Sequence, residues 1–119
     1  MKGLAMPKSR SPQAVWDEVS SIVIAFLLLE CDKCAIAVLH WLNRNGIPGK
    51  ILRLKTKRRS DLYIISNRIS SGESITENGI HYGVEVFGKV FDNLSGVGMS
   101  REDWLKDFHC RSGQFRDLH

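Results

Sequence analysis

At 119 residues the chain has room for one domain and one buried core, so it needs neither a disulfide framework nor a structural metal to fold. Its 43% hydrophobic and 25% charged residues are those of a soluble globular protein, and the net charge of +4 is modest. Three cysteines are an odd number and close no complete disulfide framework, which points to free thiols in a reducing, cytoplasmic setting.

The N-terminal stretch carries Lys2, Lys8 and Arg10 but no apolar block, so a signal peptide is not expected. Residues 1–10 have little pattern and read as a flexible tail; residues 11–119 read as a single domain. Ser11 and Pro12 cap and start a helix. Val15, Trp16, Val19, Ile22, Val23 and Phe26 recur at helical spacing and carry it to about residue 28. The longest apolar run, residues 22–29, is too short to span a bilayer. After a break at Glu30 a second helix covers residues 31–45, marked by Ile36, Leu39 and Leu42 and stopped by Gly46. Residues 46–49 are a turn, and residues 50–55 a first strand. The run Lys55-Thr56-Lys57-Arg58-Arg59 reads as a solvated loop; it has no interleaved aromatics of the kind that stack nucleic-acid bases. Residues 62–65 make a second strand and residues 66–78 a polar loop.

Residues 80–87 alternate, with Tyr82, Val84 and Val86 on one face and His81, Gly83, Glu85 and Phe87 on the other. Gly88-Lys89 reads as a two-residue hairpin turn into a strand over residues 90–93. Residues 94–99, with two glycines, read as a loop. Ser100 to Asp103 then opens a helix that carries Trp104, Leu105 and Phe108, and residues 111–119 read as frayed. The order predicts an α+β fold: N-terminal helices packed on a small antiparallel sheet, closed by a C-terminal helix.

The chemistry centres on the second helix. Cys31 and Cys34 stand at its N-terminal mouth, where the dipole and unpaired N–H groups favour thiolate over thiol. Such a thiolate is a nucleophile or a metal ligand. A nucleophile needs a base, and the base needs an orienting group on its far nitrogen. His81 supplies the first role; Asp92, with Asn93 as the alternative, supplies the second. Zinc held by Cys31, Cys34, His109 and Cys110 is the weaker reading, because the second half lacks a paired spacing. A redox Cys-x-x-Cys site expects a preceding strand, and here a helix precedes it. No metal and no cofactor are therefore expected. His40, Trp16, Trp41 and Trp104 read as surface or core residues.

The order cysteine helix, histidine strand, carboxylate strand resembles the papain-like superfamily of cysteine enzymes. Cys31, Ala35 and Gly46-Ile47-Pro48 are similar to the transglutaminase-like pattern, which makes Cys31 the nucleophile. Papain uses the second cysteine of its pair, which makes it Cys34. More narrowly, residues 31–108 resemble the papain-fold toxin domains of bacterial polymorphic toxin systems. Their Cys-x-x-Cys-Ala helix, Gly-x-His strand, Phe-Asp-Asn strand and tryptophan helix correspond here to Cys31 and Cys34, Gly79 and His81, Phe91 to Asn93, and Trp104. The resemblance implies a papain-like core and a toxin or effector with a Cys-His-Asp triad. It implies thiol-dependent acyl transfer on protein amides, as a peptidase or glutamine deamidase. It also implies a protein substrate, a cognate immunity protein or antitoxin, and either cytoplasmic residence or delivery into a target cell. A non-catalytic protein-binding module that keeps the fold is the alternative.

One count opposes the triad. With the turn at Gly88-Lys89, Asp92 faces Glu85, and His81 lies four residues further on, roughly 13 Å away at about 3.3 Å per residue. A bulge or wider turn between Val86 and Val90 is therefore expected to slide Asp92 toward His81, with Gly88 taking the positive φ.

Overall fold

The computed structural model describes residues 10–113 and Phe115. Residues 1–9 of the expected tail, and Gln114 and residues 116–119 of the expected frayed end, lie outside the described residues.

Helix α1 spans Pro12–Val23. The Ser11 hydroxyl accepts the Ala14 N–H at 3.2 Å, and Pro12 occupies the first turn, where its missing N–H costs nothing. Val15, Val19 and Val23, one stripe at i, i+4 spacing, are fully buried. The helix stops at Val23 rather than residue 28: the Ala25 and Phe26 N–H groups donate three residues back, to the Ile22 and Val23 carbonyls, each at 3.2 Å, which tightens the last turn. Asn93 Nδ2 donates to the Leu27 and Leu28 carbonyls at 2.7 and 2.9 Å. The Leu27 N–H donates to Glu30 Oε1 at 2.8 Å.

Helix α2 spans Cys31–Arg44 and buries Cys31, Cys34, Ala35, Val38 and Leu42. Its end is a Schellman motif: Gly46 takes φ +66°, Gly46 N–H donates to Asn43 O at 3.2 Å, and Ile47 N–H donates to Leu42 O at 2.9 Å.

The strands are β1 (Lys50–Lys55), β2 (Ile64–Ser66), β3 (Ile80–Val86), β4 (Lys89–Asp92), β5 (Ser95–Met99) and β6 (Phe108–Cys110), with helix α3 (Arg101–Lys106) before β6. An antiparallel four-stranded sheet has the order β1-β3-β4-β5, and β2 and β6 form a separate ladder. On one face of the sheet, Val84, Val86 and Phe91 pack against the buried stripes of α1 and α2. A second core joins Leu52, Leu54 and Val90 to Ile64, Ile75, Trp104 and Phe108. This is the α+β arrangement expected from the order of elements. Among the described residues no helix is long and apolar enough to cross a membrane.

Three further assignments change. The strand expected at residues 62–65 lies at Ile64–Ser66 and pairs with β6 instead of joining the main sheet. The closing helix ends at Lys106, so Phe108 belongs to β6. Residues 95–99, expected in a loop, are the strand β5. Its glycines are there for contact: a Cβ on Gly98 would sit 2.5 Å from the Phe91 ring, and one on Gly96 would sit 2.9 Å from Ser20 Oγ.

Candidate active site

The β3–β4 hairpin decides the geometry. Its ladder pairs Val84 with Phe91, Glu85 with Val90 and Val86 with Lys89. The turn is therefore Phe87-Gly88, one residue earlier than Gly88-Lys89. Both residues take positive φ, +48° and +83°, as a type I′ turn requires. Moving a two-residue turn back by one moves every pairing by two. Continuing the ladder sets Asp92 opposite Gly83, which makes His81 its diagonal neighbour on the same face, a separation of about 7–8 Å that two polar side chains can span. The bulge expected between Val86 and Val90 is absent, and the hairpin is regular. The irregularity lies in the β4–β5 ladder, between Val90 and Asp92.

His81 Nε2 and Asp92 Oδ2 are 2.9 Å apart, and both side chains are fully buried. Asp92 is held from all sides. Arg68 Nη1 and Nη2 donate to its two oxygens, each at 2.8 Å. Trp104 Nε1 donates to Oδ2 at 2.9 Å and the Leu94 N–H to Oδ1 at 3.1 Å. Burial alone pushes the Asp92 carboxyl upward, but hydrogen bonds and charge from His81 and Arg68 outweigh it and hold it well below the usual carboxylate range. A carboxylate only accepts, so the proton between the pair sits on His81 Nε2. That leaves Nδ1, which is buried and has no hydrogen-bond partner among the described residues.

Burial likewise pulls the His81 imidazolium down. The Asp92 hydrogen bond, the Cys31 thiol and the charges of both reverse this, and its pKa rises to about 9. The ring is boxed by aromatics: Trp104 stacks at 5.9 Å between centroids and 25° between planes, and Phe108 tilts against it at 5.0 Å. Gly83 makes room for this. A Cβ there would lie 2.9 Å from Trp104 Cζ2 and from Val90 Cγ1.

The two cysteines are unlike. Cys31 is 7% exposed; its Sγ lies 3.9 Å from the Ile80 carbonyl, and it borders an open cleft of about 330 Å³ that is also lined by Leu29, Asp32, Thr76, Asn78 and Tyr82. Cys34 is 1% exposed and belongs to the core. Desolvation first, then the charges of Asp92 and Cys31, push its thiol up to about 12. The first turn of α2 has no side-chain cap, since Glu30 has turned back to Leu27.

The other candidates lie elsewhere. Asn93 is committed to the Leu27 and Leu28 carbonyls and does not face His81 as an orienter. His109 lies on β6 with its Nε2 3.0 Å from Asn67 Oδ1, and His40 is exposed on α2. Among the described residues no group of three or more His, Cys, Asp or Glu is placed to hold a metal ion. Sequence reasoning missed Arg68, an unmarked residue in a polar loop, and gave Trp104 only a packing role. Trp104 is fully buried and also spends its one N–H on Asp92.

No curated protein and no solved structure matches the chain. The model of one family, described as papain fold toxin 2, matches residues 14–109. That span holds all but the first two residues of α1, the whole of α2, the four-stranded sheet and α3, and Cys31, Arg68, His81, Asp92 and Trp104. With the α+β core and the cysteine helix set beside the histidine strand, the chain belongs to the papain fold toxin 2 family and is a toxin domain.

Proposed function

We propose that this toxin domain catalyses thiol-dependent acyl transfer on protein amides, as a peptidase or a glutamine deamidase. The observation that carries the reading is the buried His81 ring. One nitrogen is fixed by Asp92 and the other has no hydrogen-bond partner among the described residues, and Cys31 helps to raise the ring's pKa. Cys31 is the nucleophile and Cys34 a core residue. His81 Nδ1 holds the proton given up by Cys31, and the thiolate attacks the amide carbonyl carbon. The uncapped N–H groups of the first turn of α2 receive the oxyanion. His81 then gives the proton to the leaving nitrogen, which departs as an amine or as ammonia. A water, deprotonated by His81, attacks the thioester, releases the acid and restores the thiol. Asp92 keeps the imidazole in the productive tautomer throughout.

A chain with this activity endangers the cell that makes it, so we propose a cognate immunity protein or antitoxin as its partner. Expression alone is expected to slow growth, and Cys31→Ala at equal protein level to relieve it. Mass spectrometry of a modified substrate then separates the chemistries: a chain break marks a peptidase, and an amide turned carboxylate marks a deamidase. Unchanged toxicity of both Cys31→Ala and His81→Ala would remove the catalytic reading and favour a domain that acts by binding.

A further inference from the structure

Asp92 is gripped by a cation that the acyl-transfer chemistry does not itself call for. Arg68 follows β2, and Asp107 precedes β6, so both leave the same end of the two-stranded ladder, beside its Ser66–Phe108 pair. Arg68 puts its two terminal nitrogens on Asp92, each at 2.8 Å, and its Nε on Asp107 Oδ2 at 3.0 Å. Nη1 also reaches Ser95 Oγ at 3.3 Å. Asp107 is fixed in turn by the Ser66 hydroxyl, and the Asn67 N–H donates to its backbone carbonyl at 3.0 Å. The guanidinium lies 5.7 Å from the centre of the Phe108 ring, which itself packs on His81. The small ladder thus delivers a braced cation to a carboxylate on the main sheet. A planar fork on both oxygens leaves that carboxylate one orientation.

We propose that Arg68 is a positioning residue for the Cys31–His81–Asp92 site: its fork fixes the Asp92 carboxylate beside the imidazole, and its charge offsets part of the pull that Asp92 exerts on the His81 proton. The proposal rests on the reading of His81 as the base. A bare buried carboxylate would bind the proton on His81 too tightly for the ring to return it to a leaving group, so the pair needs a counter-charge. The groups that bear on the imidazole are Cys31 from α2 and Asp92 from β4; Arg68, from the loop after β2, bears on it through Asp92, and Asp107 through Arg68. Asp107 restrains the cation, so the two flanking residues act in opposite directions.

The test is a titration of the His81 ring by ¹⁵N-imidazole NMR on the full chain, with the His81 signals assigned by their loss in His81→Gln. Arg68→Gln is expected to raise the ring pKa by about 0.5–1 unit, and Asp107→Asn to lower it. Arg68→Lys, which keeps the charge and loses the fork, is expected to bring the pKa back toward wild type while Cys31 alkylation is slower than in wild type. A folded Arg68→Gln or Asp107→Asn protein whose His81 pKa equals that of wild type would make Arg68 a structural brace only and overturn the proposal. If Arg68→Gln does not fold, Asp107→Asn decides alone. The titration needs no substrate, so its outcome is separate from that of the proposed activity: opposed shifts in a protein that modifies no amide would uphold the coupling and remove only the catalytic reading.

Discussion

Cys31 and Cys34 are three residues apart on one helix, yet their surroundings separate them. Cys31 borders a cleft, whereas Cys34 sits in the core with its thiol pushed up to about 12. Iodoacetamide near neutral pH is therefore expected to label Cys31 and spare Cys34 until the protein unfolds, as peptide mapping would report. Preferential labelling of Cys34 in the folded protein would move the nucleophile. Cys34→Ala removes one buried sulfur, is expected to cost about 1 kcal/mol, and should leave Cys31 reactive. Gly83 is the more exposed weakness. A methyl group there meets Trp104 and Val90 at 2.9 Å. Gly83→Ala is expected to cost about 1–3 kcal/mol and to lift the indole off Asp92, so Cys31 alkylation should slow as well. A Gly83→Ala protein as stable and as reactive as wild type would show that the aromatic box does not hold the carboxylate.

At the scale of elements, one turn sets the site. Phe87 takes φ +48° with its side chain partly exposed, a conformation that phenylalanine resists and asparagine accepts. Phe87→Asn makes an Asn-Gly turn and is expected to raise stability by up to about 1 kcal/mol without changing the register. Gly88→Ala meets no atom within 4 Å, so its cost, about 1 kcal/mol, comes from the +83° φ alone. Urea midpoints that move the other way for both variants would mean that the turn is not where the strain lies. This turn also marks the limit of what was legible. Helix starts at Pro12 and Cys31, the strand at Lys50–Lys55 and the cap at Ser100 were readable because local chemistry sets them. The turn was placed one residue late because a phenylalanine in it sends no local signal. The β2–β6 ladder and β5 were missed for a related reason: their pairing is long-range, and the glycines of β5 serve neighbours rather than the strand. His81 and Asp92 were nameable as candidates from residue type and order, whereas Arg68 and Asp107 acquire meaning only when the ladder brings them together.

Across the whole molecule, the site is a chain of alternating charge held where the two ladders meet: His81, Asp92, the half-buried Arg68, and Asp107. Such a chain makes folding depend on pH, and the two titrating ends act in opposite windows. Asp92 is held below the usual carboxylate range in the fold, so its contribution is complete above about pH 4, the unfolded value, and is lost as pH falls through the folded one. His81 is raised from 6.5 to about 9. Its contribution is complete below the unfolded value of 6.5 and is lost as pH rises toward 9. Stability is therefore expected to be greatest between about pH 4 and 6.5 and to decline above that, by no more than about 1.4 kcal/mol per pH unit for one proton. Urea midpoints of the wild-type protein at pH 6, 7, 8 and 9 measure the decline. His81→Gln removes the titrating ring, so its midpoints should fall less over the same range, and the difference between the two curves isolates His81 from the exposed His40 and His109. Parallel curves would mean that the folded protein does not hold the His81 proton. The resting site would then be a neutral imidazole facing a thiol, and proton transfer would have to wait for the substrate.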